Sequence, residues 1–459
     1  MTIPTLLKGQ AELPSVDSTK SYWHHQPSEK LLGHRSTAEL PAAADVVIVG
    51  SGITGAFAAR ELVDGGKRVV LLEAREACWG ATGRNGGHCQ PLIYAAKPGV
   101  SRFELDTYIF LRDLIAEHEI PCDWEAVGGV HRLPSQEVLD LVSKHLSRLE
   151  RDHPDLADQA RIVTDKEELQ KLRVPDAFAA VYQPNAAKLW PYKLVAWILE
   201  RMLDEHDPGV FNLQTKTPVH HLQRAGDTWV LHTPRGQMAA KTVVLATNAH
   251  TSHLLPKLSG LLIPVRGQVS ALSPPRDSSP LEHSHVWETP GGGDDYLIQR
   301  SSGELILGGE RLRAPDGQVG ISRDDSLDSA VAQRLRSAMH DAVRLKAPDQ
   351  VEEDTLPATY EWTGIMGFSR DGYPWVGRVP KHLGGEDGGL WVSAGYTGHG
   401  MPVAARCGIA LAQEILGVNK SVELPAQYRI DAGRADRASV AVMPMTLAEE
   451  IRLVIGDEV

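Results

Sequence analysis

A short run of residues near the start of the sequence has glycine at its first, third and last positions. It consists of Gly50, Ser51, Gly52, Ile53, Thr54 and Gly55. In such a run the first glycine permits a tight turn, the second lets the backbone approach a pyrophosphate, and the third lets a helix pack close to a strand. The N–H groups and the dipole at the helix N-terminus favour the phosphates. The spacing therefore predicts the binding of a dinucleotide.

The residues on either side of this turn supply the elements that must position it. Asp45–Gly50 and Arg68–Glu73 are short apolar runs of the kind buried in a parallel sheet. Ile53–Val63 lies between them, is rich in alanine and is predicted to be a helix. Glu73 ends the second strand, where a carboxylate can accept hydrogen bonds from ribose hydroxyls. We predict a βαβ nucleotide-binding unit; a glycine turn without a ligand is the weaker alternative.

A second loop rich in glycine follows Glu73. Its presence distinguishes a flavin cofactor from a nicotinamide cofactor. Its core is Gly80–His88, in which glycine and other small residues dominate. A nicotinamide site has no use for a loop at this point, whereas a chain that runs beside a pyrophosphate and an isoalloxazine must avoid side-chain clashes. Lys241–Asn248 adds a buried strand of the kind that returns beside the nucleotide in flavoproteins. The sequence therefore predicts FAD as the cofactor.

The composition limits the other classes of function. The chain has 459 residues, 42% hydrophobic and 23% charged, with a net charge of −12. This is ordinary for a globular protein with more than one domain, and the negative charge argues against nucleic acid as a partner. Cys78, Cys89, Cys122 and Cys407 form no CxxC pair, so no metal site is predicted. No apolar run approaches the roughly 20 residues of a membrane span, and the cytosol is the expected location.

The order of apolar runs predicts an α/β fold with two interleaved domains. The first is a Rossmann-type FAD-binding domain made of residues 41–105, 190–260 and 356–430. The second is a substrate domain with a mixed or antiparallel sheet, made of residues 106–189 and 261–355. Residues 1–40 and 431–459 are expected to form an N-terminal arm and a C-terminal tail. Helices are expected over 104–120, Pro191–Asp204, 324–346 and Met401–Leu416.

Five motifs in a fixed order resemble the D-amino-acid oxidase-like FAD oxidoreductases, and most of all their γ-glutamylputrescine oxidase-like members. The motifs are Gly50–Gly55, Gly80–Gly87, Pro264–Gln268, Trp362–Pro374 and Gly395–Gly400. They extend over most of the chain, which makes the resemblance far more specific than a single glycine turn. It implies the D-amino-acid oxidase or glycine oxidase fold.

The resemblance also implies roles for individual residues. Val219 matches the strand whose backbone holds the adenine. Gly398, His399, Gly400 and Met401 match a turn near the pyrimidine edge of the flavin, where N–H groups at a helix N-terminus stabilise the negative charge of reduced flavin. His399 is equally compatible with a structural role. The remaining residues assigned to the cofactor are Ala74, Arg75, Ala81, Thr82, Gly83, Asn85, Gly86, Gly87, His88, Ala246, Thr247 and Asn248.

The chemistry implied by the resemblance is the oxidation of a C–N bond. A hydride passes from the carbon beside the nitrogen to the flavin, the imine is hydrolysed to a carbonyl, and oxygen yields hydrogen peroxide. Tyr296 and Trp362 are candidate aromatic walls over the flavin and, with His399, the candidate catalytic residues. Core packing is the alternative for each aromatic residue. Tyr373 is a further candidate wall.

One departure from the family pattern bears on the substrate. Glycine oxidase-like members hold the substrate carboxylate with arginines in the last two motifs, whereas Met366 and Gly398 occupy the matching positions here. Without two bidentate clamps, we expect a small-molecule amine or N-substituted amino compound rather than a simple α-amino acid. Arg266 and Arg300 are alternative anion partners, although a role in the fold is favoured for both.

Several alternatives stay open at this point. The flavin is predicted to be non-covalent, but His88 and Cys89 adjoin the loop and some relatives carry covalent flavin. The enzyme could be a dehydrogenase that passes electrons to a quinone or carrier protein, or could tailor a nitrogen-containing metabolite. A protein that binds flavin without catalysis is the alternative from another class.

Overall fold

The protein is described by a computed structural model over residues 6–289, 293–337, 342–347, 349–386, 388–444 and 446–456. The helices, in chain order, are α1 (Ile53–Asp64), α2 (Pro98–Glu117), α3 (Gln136–Asp152), α4 (Pro154–Ala157), α5 (Lys166–Lys171), α6 (Pro191–Glu205), α7 (Thr251–Leu254), α8 (Ser329–Ser337), α9 (Ala404–Leu416), α10 (Arg434–Val440) and α11 (Leu447–Ile455). The strands are β1 (Ala43–Val49), β2 (Val69–Leu72), β3 (His88–Cys89), β4 (Glu125–Ala126), β5 (Gly129–Leu133), β6 (Arg161–Val163), β7 (Ala179–Gln183), β8 (Ala187–Lys188), β9 (Phe211–Gln214), β10 (His221–Ala225), β11 (Thr228–Thr233), β12 (Gly236–Leu245), β13 (Leu262–Leu272), β14 (Ser284–Thr289), β15 (Gly293–Gln299), β16 (Leu305–Gly308), β17 (Ala358–Ser369), β18 (Trp375–Arg378) and β19 (Leu390–Ala394).

The first sheet contains the predicted βαβ unit. β1 lies between β12 and β2 and is parallel to both, and the parallel strands β19 and β9 flank this group. Val46, Val47 and Ile48 of β1 are buried, as expected for a central strand with both faces covered. The β10–β11 hairpin and the antiparallel strand β18 complete the sheet. The predicted strand, helix and second strand are confirmed.

Helix α1 packs closely against α9. At Gly408 of α9, a Cβ atom would lie only 2.4 Å from the carbonyl oxygen of Thr54 in α1, so only glycine permits this approach. The Gly398–Met401 turn precedes α9 along the chain. The packing of the two helices therefore fixes that turn relative to the glycine-rich N-terminus of α1.

The second sheet is mainly antiparallel and has the order β17-β13-β16-β15-β14-β5-β7-β6. β14 and β5 are parallel. Together the two sheets give the predicted α/β fold with a mixed second sheet. The expected boundary near residue 356 is wrong for β17, because this strand pairs with β13 along its length and the chain returns to the first sheet only at β18. The other domain boundaries stay a proposal.

Two helices differ from their predicted bounds. α2 begins at Pro98 rather than at residue 104, since proline is favoured in the first turn of a helix. The helix expected over 324–346 is reduced to Ser329–Ser337, with residues 338–341 outside the described ranges. Asp328 Oδ1 accepts from the N–H groups of Ala330 and Val331, and such a cap starts the helix at this point.

Both ends of the chain pack on the body of the protein. In the N-terminal arm, a short 3₁₀ turn at Tyr22–His24 is buried. In the C-terminal tail, α11 lies against α3, with Ile451 buried and Arg452 paired with Glu137. Within the ranges given above, no helix has the length and apolar character needed to cross a bilayer.

Candidate functional site

A cavity of about 810 Å³ opens at the carboxyl ends of β1, β2 and β12 and continues to the second sheet. Open parallel sheets bind their ligands at this edge. Its lining includes the glycine turn at one end, the Gly80–His88 loop in the middle, and residues of β5, β14 and β15 at the other end. Met443–Leu447 and Glu450 of the tail also line it, apart from Met445, which is not described.

The glycine turn is formed by backbone segments that nearly touch. Gly50 has a φ of +106°, and a Cβ atom there would lie 2.5 Å from the carbonyl oxygen of Ala246. At Gly55, a Cβ atom would lie 1.9 Å from the carbonyl oxygen of Gly50. Gly52 begins α1 without a side-chain cap. The first turn of α1 therefore presents backbone N–H groups and the positive end of its dipole to the cavity.

Glu73 lines the cavity at the end of β2, as predicted, and it also braces the glycine turn. Its Oε2 accepts from the Ser51 backbone N–H (3.0 Å) and from Ser51 Oγ (2.6 Å). Its Oε1 accepts from the Arg75 N–H (2.9 Å). A carboxylate oxygen can accept more than one hydrogen bond, so the predicted contact with a ribose is compatible with this bracing role. The sequence motif did not reveal the second role.

The Gly80–His88 loop runs along the middle of the cavity. Thr82 Oγ1 accepts from the Ile53 N–H (3.1 Å) and ties the loop to α1. Asn85 holds the loop in shape, since its Oδ1 accepts from the Gly87 N–H (2.8 Å) and its Nδ2 donates to the Thr82 carbonyl (3.1 Å). A Cβ atom at Gly86 would lie 2.1 Å from the Tyr296 ring. Gly86 thus lets the Tyr296 ring pack against the loop, and Arg84 and His88 of the loop also line the cavity.

Most of the residues assigned to the cofactor line this cavity. Those brought together there are Gly50, Ser51, Gly52, Ile53, Thr54, Glu73, Ala74, Arg75, Ala81, Thr82, Asn85, Gly86, His88, Val219, Ala246, Thr247, Asn248, Gly398, His399, Gly400 and Met401. Gly55, Gly83 and Gly87 lie behind this surface and permit close packing against Gly50, His24 and Trp23 respectively.

A buried group of three charges beside the loop was missed. Asp324, which is 2% exposed, pairs with Arg75 (2.8 Å) and with Arg84 (3.2 Å). Burial lowers the pKa of Arg84 to about 10, opposed by Asp324 and assisted by Arg75. All three residues line the cavity. Two guanidinium groups against one carboxylate leave a net positive charge there, which favours an anionic ligand.

His399 lines the cavity and contacts a carboxylate. Its Nε2 lies 3.1 Å from Glu104 Oε2, which also accepts from the Leu92 N–H (2.7 Å). Glu104 is buried on α2. A glutamate among the apolar residues of a predicted helix is the sequence signal that points to this contact. The Glu104 contact gives His399 a fixed position without deciding between its two predicted roles.

The far end of the cavity carries a chain of neutral polar groups. Gln90 Nε2 donates to Ser284 Oγ (2.9 Å), which leaves Gln90 Oε1 to accept from His131 Nε2 (2.9 Å). His131 Nδ1 then accepts from the Tyr94 hydroxyl (3.1 Å). Tyr296, the predicted aromatic wall, lines the same region.

Buried histidines make the folded state sensitive to acid. Burial lowers the pKa of His131 to about 3 and that of His285 to about 4, whereas an unfolded histidine titrates near 6.5. Because the unfolded chain binds more protons between these values, stability is lost as pH falls from about 6.5 to 4. We expect urea unfolding at a series of pH values to show this loss of stability. His285→Gln should reduce the slope of the unfolding free energy against pH by the contribution of about one proton. His221→Gln, on an exposed strand, is the control, and an unchanged slope in His285→Gln would contradict the assignment.

The prediction of Trp362 as a wall over the flavin is wrong, whereas Arg266 and Arg300 have the role in the fold that was favoured for them. Trp362 is 0% exposed, donates from Nε1 to the Arg84 carbonyl (2.8 Å) and does not line the cavity, so it is a packing residue. Arg266 bonds to Gln318 and Ser326, also away from the cavity. Arg300 pairs with Asp123 (2.6 Å) instead of facing a ligand.

The geometry separates the two candidates for a covalent flavin link. Cys89 is buried outside the cavity lining, and burial raises the pKa of its thiol. His88 lines the cavity, and burial lowers its pKa to about 4. Non-covalent flavin stays the prediction: acid precipitation should leave the yellow colour in the supernatant, and a yellow pellet would point to a link at His88.

Comparison with known proteins gives a family match. The model of the family described as "DAO: FAD dependent oxidoreductase" matches residues 45–414. The chain is 23% identical over 402 residues to the probable oxidoreductase OrdL of Haemophilus influenzae, covering 83% of this chain and 85% of that protein. It is 25% identical over 423 residues to the γ-glutamylputrescine oxidoreductase of Escherichia coli, covering 87% of this chain and 90% of that protein.

A solved structure shares the fold. The glycine oxidase of Geobacillus kaustophilus matches with a TM-score of 0.69 at 20% identity, covering 85% of this chain and 99% of that chain. The predicted fold class and the predicted resemblance are both confirmed. Residues 1–44 and 415–459, which include the N-terminal arm and the C-terminal tail, lie outside the family match.

Proposed function

Because the chain belongs to the DAO family of FAD-dependent oxidoreductases, we propose that it oxidises a C–N bond of an amine or N-substituted amino compound. Bound FAD supplies the acceptor for the hydride. The resulting imine is hydrolysed to a carbonyl compound, and oxygen takes the electrons to give hydrogen peroxide. Two hydrogen equivalents leave the substrate and two reduce oxygen, so the reaction balances.

The residues at the cavity fit FAD. The glycine turn and the start of α1, where Gly52 provides no side-chain cap, suit a pyrophosphate, and the net positive charge of Arg75, Asp324 and Arg84 at the same cavity suits an anion. Glu73 and Val219, which match the ribose and adenine positions of the family, line this cavity. The small residues Ala81, Thr82 and Gly86 of the Gly80–His88 loop also line it and suit a flat ring.

The observation that carries the substrate class is the chemistry of the far end of the cavity. Met366 and Gly398 line the cavity, so the two positions that match carboxylate-binding arginines carry no charge here. Tyr94, His131 and Gln90 add neutral hydrogen-bonding groups, and Arg132 and Arg311 are also part of the lining. A neutral amine suits these groups better than an ammonium ion, whose charge burial disfavours.

Each of these side chains has a definable task. Tyr94 lines the cavity beside the substrate, and His131 holds its hydroxyl in place. Tyr296, held between Gly86 and Gly308, presents its ring to the substrate. Leu447 and Glu450 of α11 cover the cavity and limit the access of water.

Tyr94→Phe is expected to lower kcat/KM about two- to tenfold while FAD content stays unchanged. The variant removes the hydroxyl that His131 holds at the cavity, and with it a hydrogen bond worth about 0.5–1.5 kcal/mol. Tyr108→Phe is the matched control, because Tyr108 is buried away from the cavity. Steady-state kinetics with the best amine measures the effect, and equal kcat/KM in both variants would remove Tyr94 from the substrate site.

The function itself is tested by mixing the purified holoenzyme anaerobically with a panel of amines, N-alkyl amino acids and free α-amino acids. We expect an amine or N-substituted compound to bleach the visible absorbance of oxidised FAD, and air to restore it with formation of peroxide. Bleaching without peroxide would instead favour a dehydrogenase. Small free α-amino acids as the best substrates would overturn the proposed substrate class.

A further inference from the structure

The N-terminal arm packs against the Gly80–His88 loop, and part of it also lines the cavity. This segment, residues 10–24, precedes the family match, which begins at residue 45. It is nevertheless well packed, and Trp23 is fully buried. Its contacts fall into three groups along the cofactor site.

The first group lies at the nucleotide end. The Ala11 N–H donates to Ser252 Oγ (2.9 Å), and the Glu12 carbonyl lies 2.9 Å from His250 Nδ1. Leu13 and Pro14 line the cavity itself. The arm therefore forms part of the wall of the cavity.

The second group involves the buried charges. The Thr19 N–H donates to the Asp324 carbonyl (2.8 Å), and Thr19 Oγ1 accepts from Arg84 Nη2 (2.7 Å). The arginine lies within the Gly80–His88 loop, and the aspartate lies in the stretch between β16 and α8. Thr19 thus joins the loop to a separate part of the chain.

The third group holds the loop backbone directly. Ser21 Oγ donates to the Gly83 carbonyl (2.8 Å), and Trp23 Nε1 donates to the Asn85 carbonyl (2.5 Å). A Cβ atom at Gly87 would lie 2.7 Å from the Trp23 ring. These donors turn two loop carbonyls away from the cavity.

A loop made largely of glycine has a high conformational entropy when it is not held. The cost of ordering the loop is borne either by the protein or by the ligand that binds to it. We propose that residues 10–24 are a built-in part of the FAD site, in which Ser21 and Trp23 are positioning residues that pre-order the flavin loop and slow the release of FAD. They act through the backbone of Gly83 and Asn85, not by touching the cofactor.

The test uses the holoenzyme and needs no substrate. Trp23→Phe keeps an aromatic ring and removes the Nε1–H donor, and Ser21→Ala removes the second donor. We expect FAD release, followed as the rise in flavin fluorescence after dilution, to be about tenfold faster in the double variant. Ser36→Ala is the matched control, because Ser36 Oγ accepts from the Leu213 N–H (2.9 Å) in β9 and does not contact the loop.

Thermal unfolding of the apoproteins separates positioning from general stability. We expect the apoprotein of Ser21→Ala, the milder variant, to melt close to wild type while its holoenzyme releases FAD faster. FAD release at the wild-type rate in both Ser21→Ala and the double variant would overturn the proposal. Equal loss of melting temperature in apoprotein and holoenzyme would do the same, since the arm would then support the fold alone.

Discussion

Replacing Gly55 with alanine should leave the protein with little bound FAD. A Cβ atom at this position would lie 1.9 Å from the Gly50 carbonyl oxygen and 3.1 Å from its carbon. Both are backbone atoms of the pyrophosphate turn, so no side-chain rotation relieves the contact. Alanine favours a helix by about 1 kcal/mol over glycine, but overpacking costs about 1–3 kcal/mol or more. The turn must therefore move, and we expect FAD to bind about 10–100-fold more weakly.

The matched control for this variant is Gly209→Ala. No atom lies within 4 Å of a Cβ atom built at Gly209, so FAD binding should be unchanged. The ratio of flavin to protein absorbance after gel filtration gives the FAD content, and circular dichroism confirms folding. Full FAD content in folded Gly55→Ala would show that the cofactor does not depend on the geometry of this turn.

The glycine turn and the loop after Glu73 could be predicted because their chemistry is local. A turn that needs Gly50 and Gly55 and a strand that ends in an acidic residue follow one another along the chain. The distance between these residues is set by the βαβ unit itself. Local patterns of this kind can be recognised in a single sequence, because they do not depend on tertiary contacts.

Asp324 and Glu104 could not be predicted in the same way. Asp324 stands next to Arg323 and Asp325 in a polar stretch, and only the fold decides which of these charges is buried. Glu104 meets His399 because α2 crosses the turn before α9. Such pairs depend on long-range packing, which hydrophobic periodicity does not encode.

Trp362 shows the complementary error. Its place in a family motif suggested a wall over the flavin, yet its ring is buried behind the loop and its Nε1 holds the Arg84 carbonyl. A motif preserves residues that shape a site as well as residues that face it. Tyr296 is also in the second sheet, but its ring lies against Gly86 and Gly308 at the cavity.

Replacing Asp324 with alanine should destabilise the protein by about 3–5 kcal/mol, since it would leave buried guanidinium groups without their carboxylate. Arg84 is 2% exposed and Arg75 is 8% exposed, and both pair with Asp324. Their other acceptors are uncharged and include the carbonyl oxygens of Thr363 (2.6 Å) and Trp79 (2.6 Å) and the Thr19 hydroxyl (2.7 Å), which satisfy hydrogen bonds without neutralising charge. The free energy of unfolding in urea, measured on apoprotein and holoenzyme, gives the effect.

Two variants distinguish charge from packing at this position. Asp324→Asn keeps the shape and one acceptor oxygen, so it should lose most of the same free energy if the charge matters. Asp325→Ala removes the neighbouring carboxylate, whose partner Arg323 is largely exposed, and surface pairs contribute about 0–1 kcal/mol. If Asp324→Asn were as stable as wild type while Asp324→Ala was not, the Asp324 side chain would stabilise the protein through its shape and hydrogen bonds rather than through its charge. Arg75 and Arg84 would then lie buried without needing a counter-ion, which burial of this depth makes unfavourable.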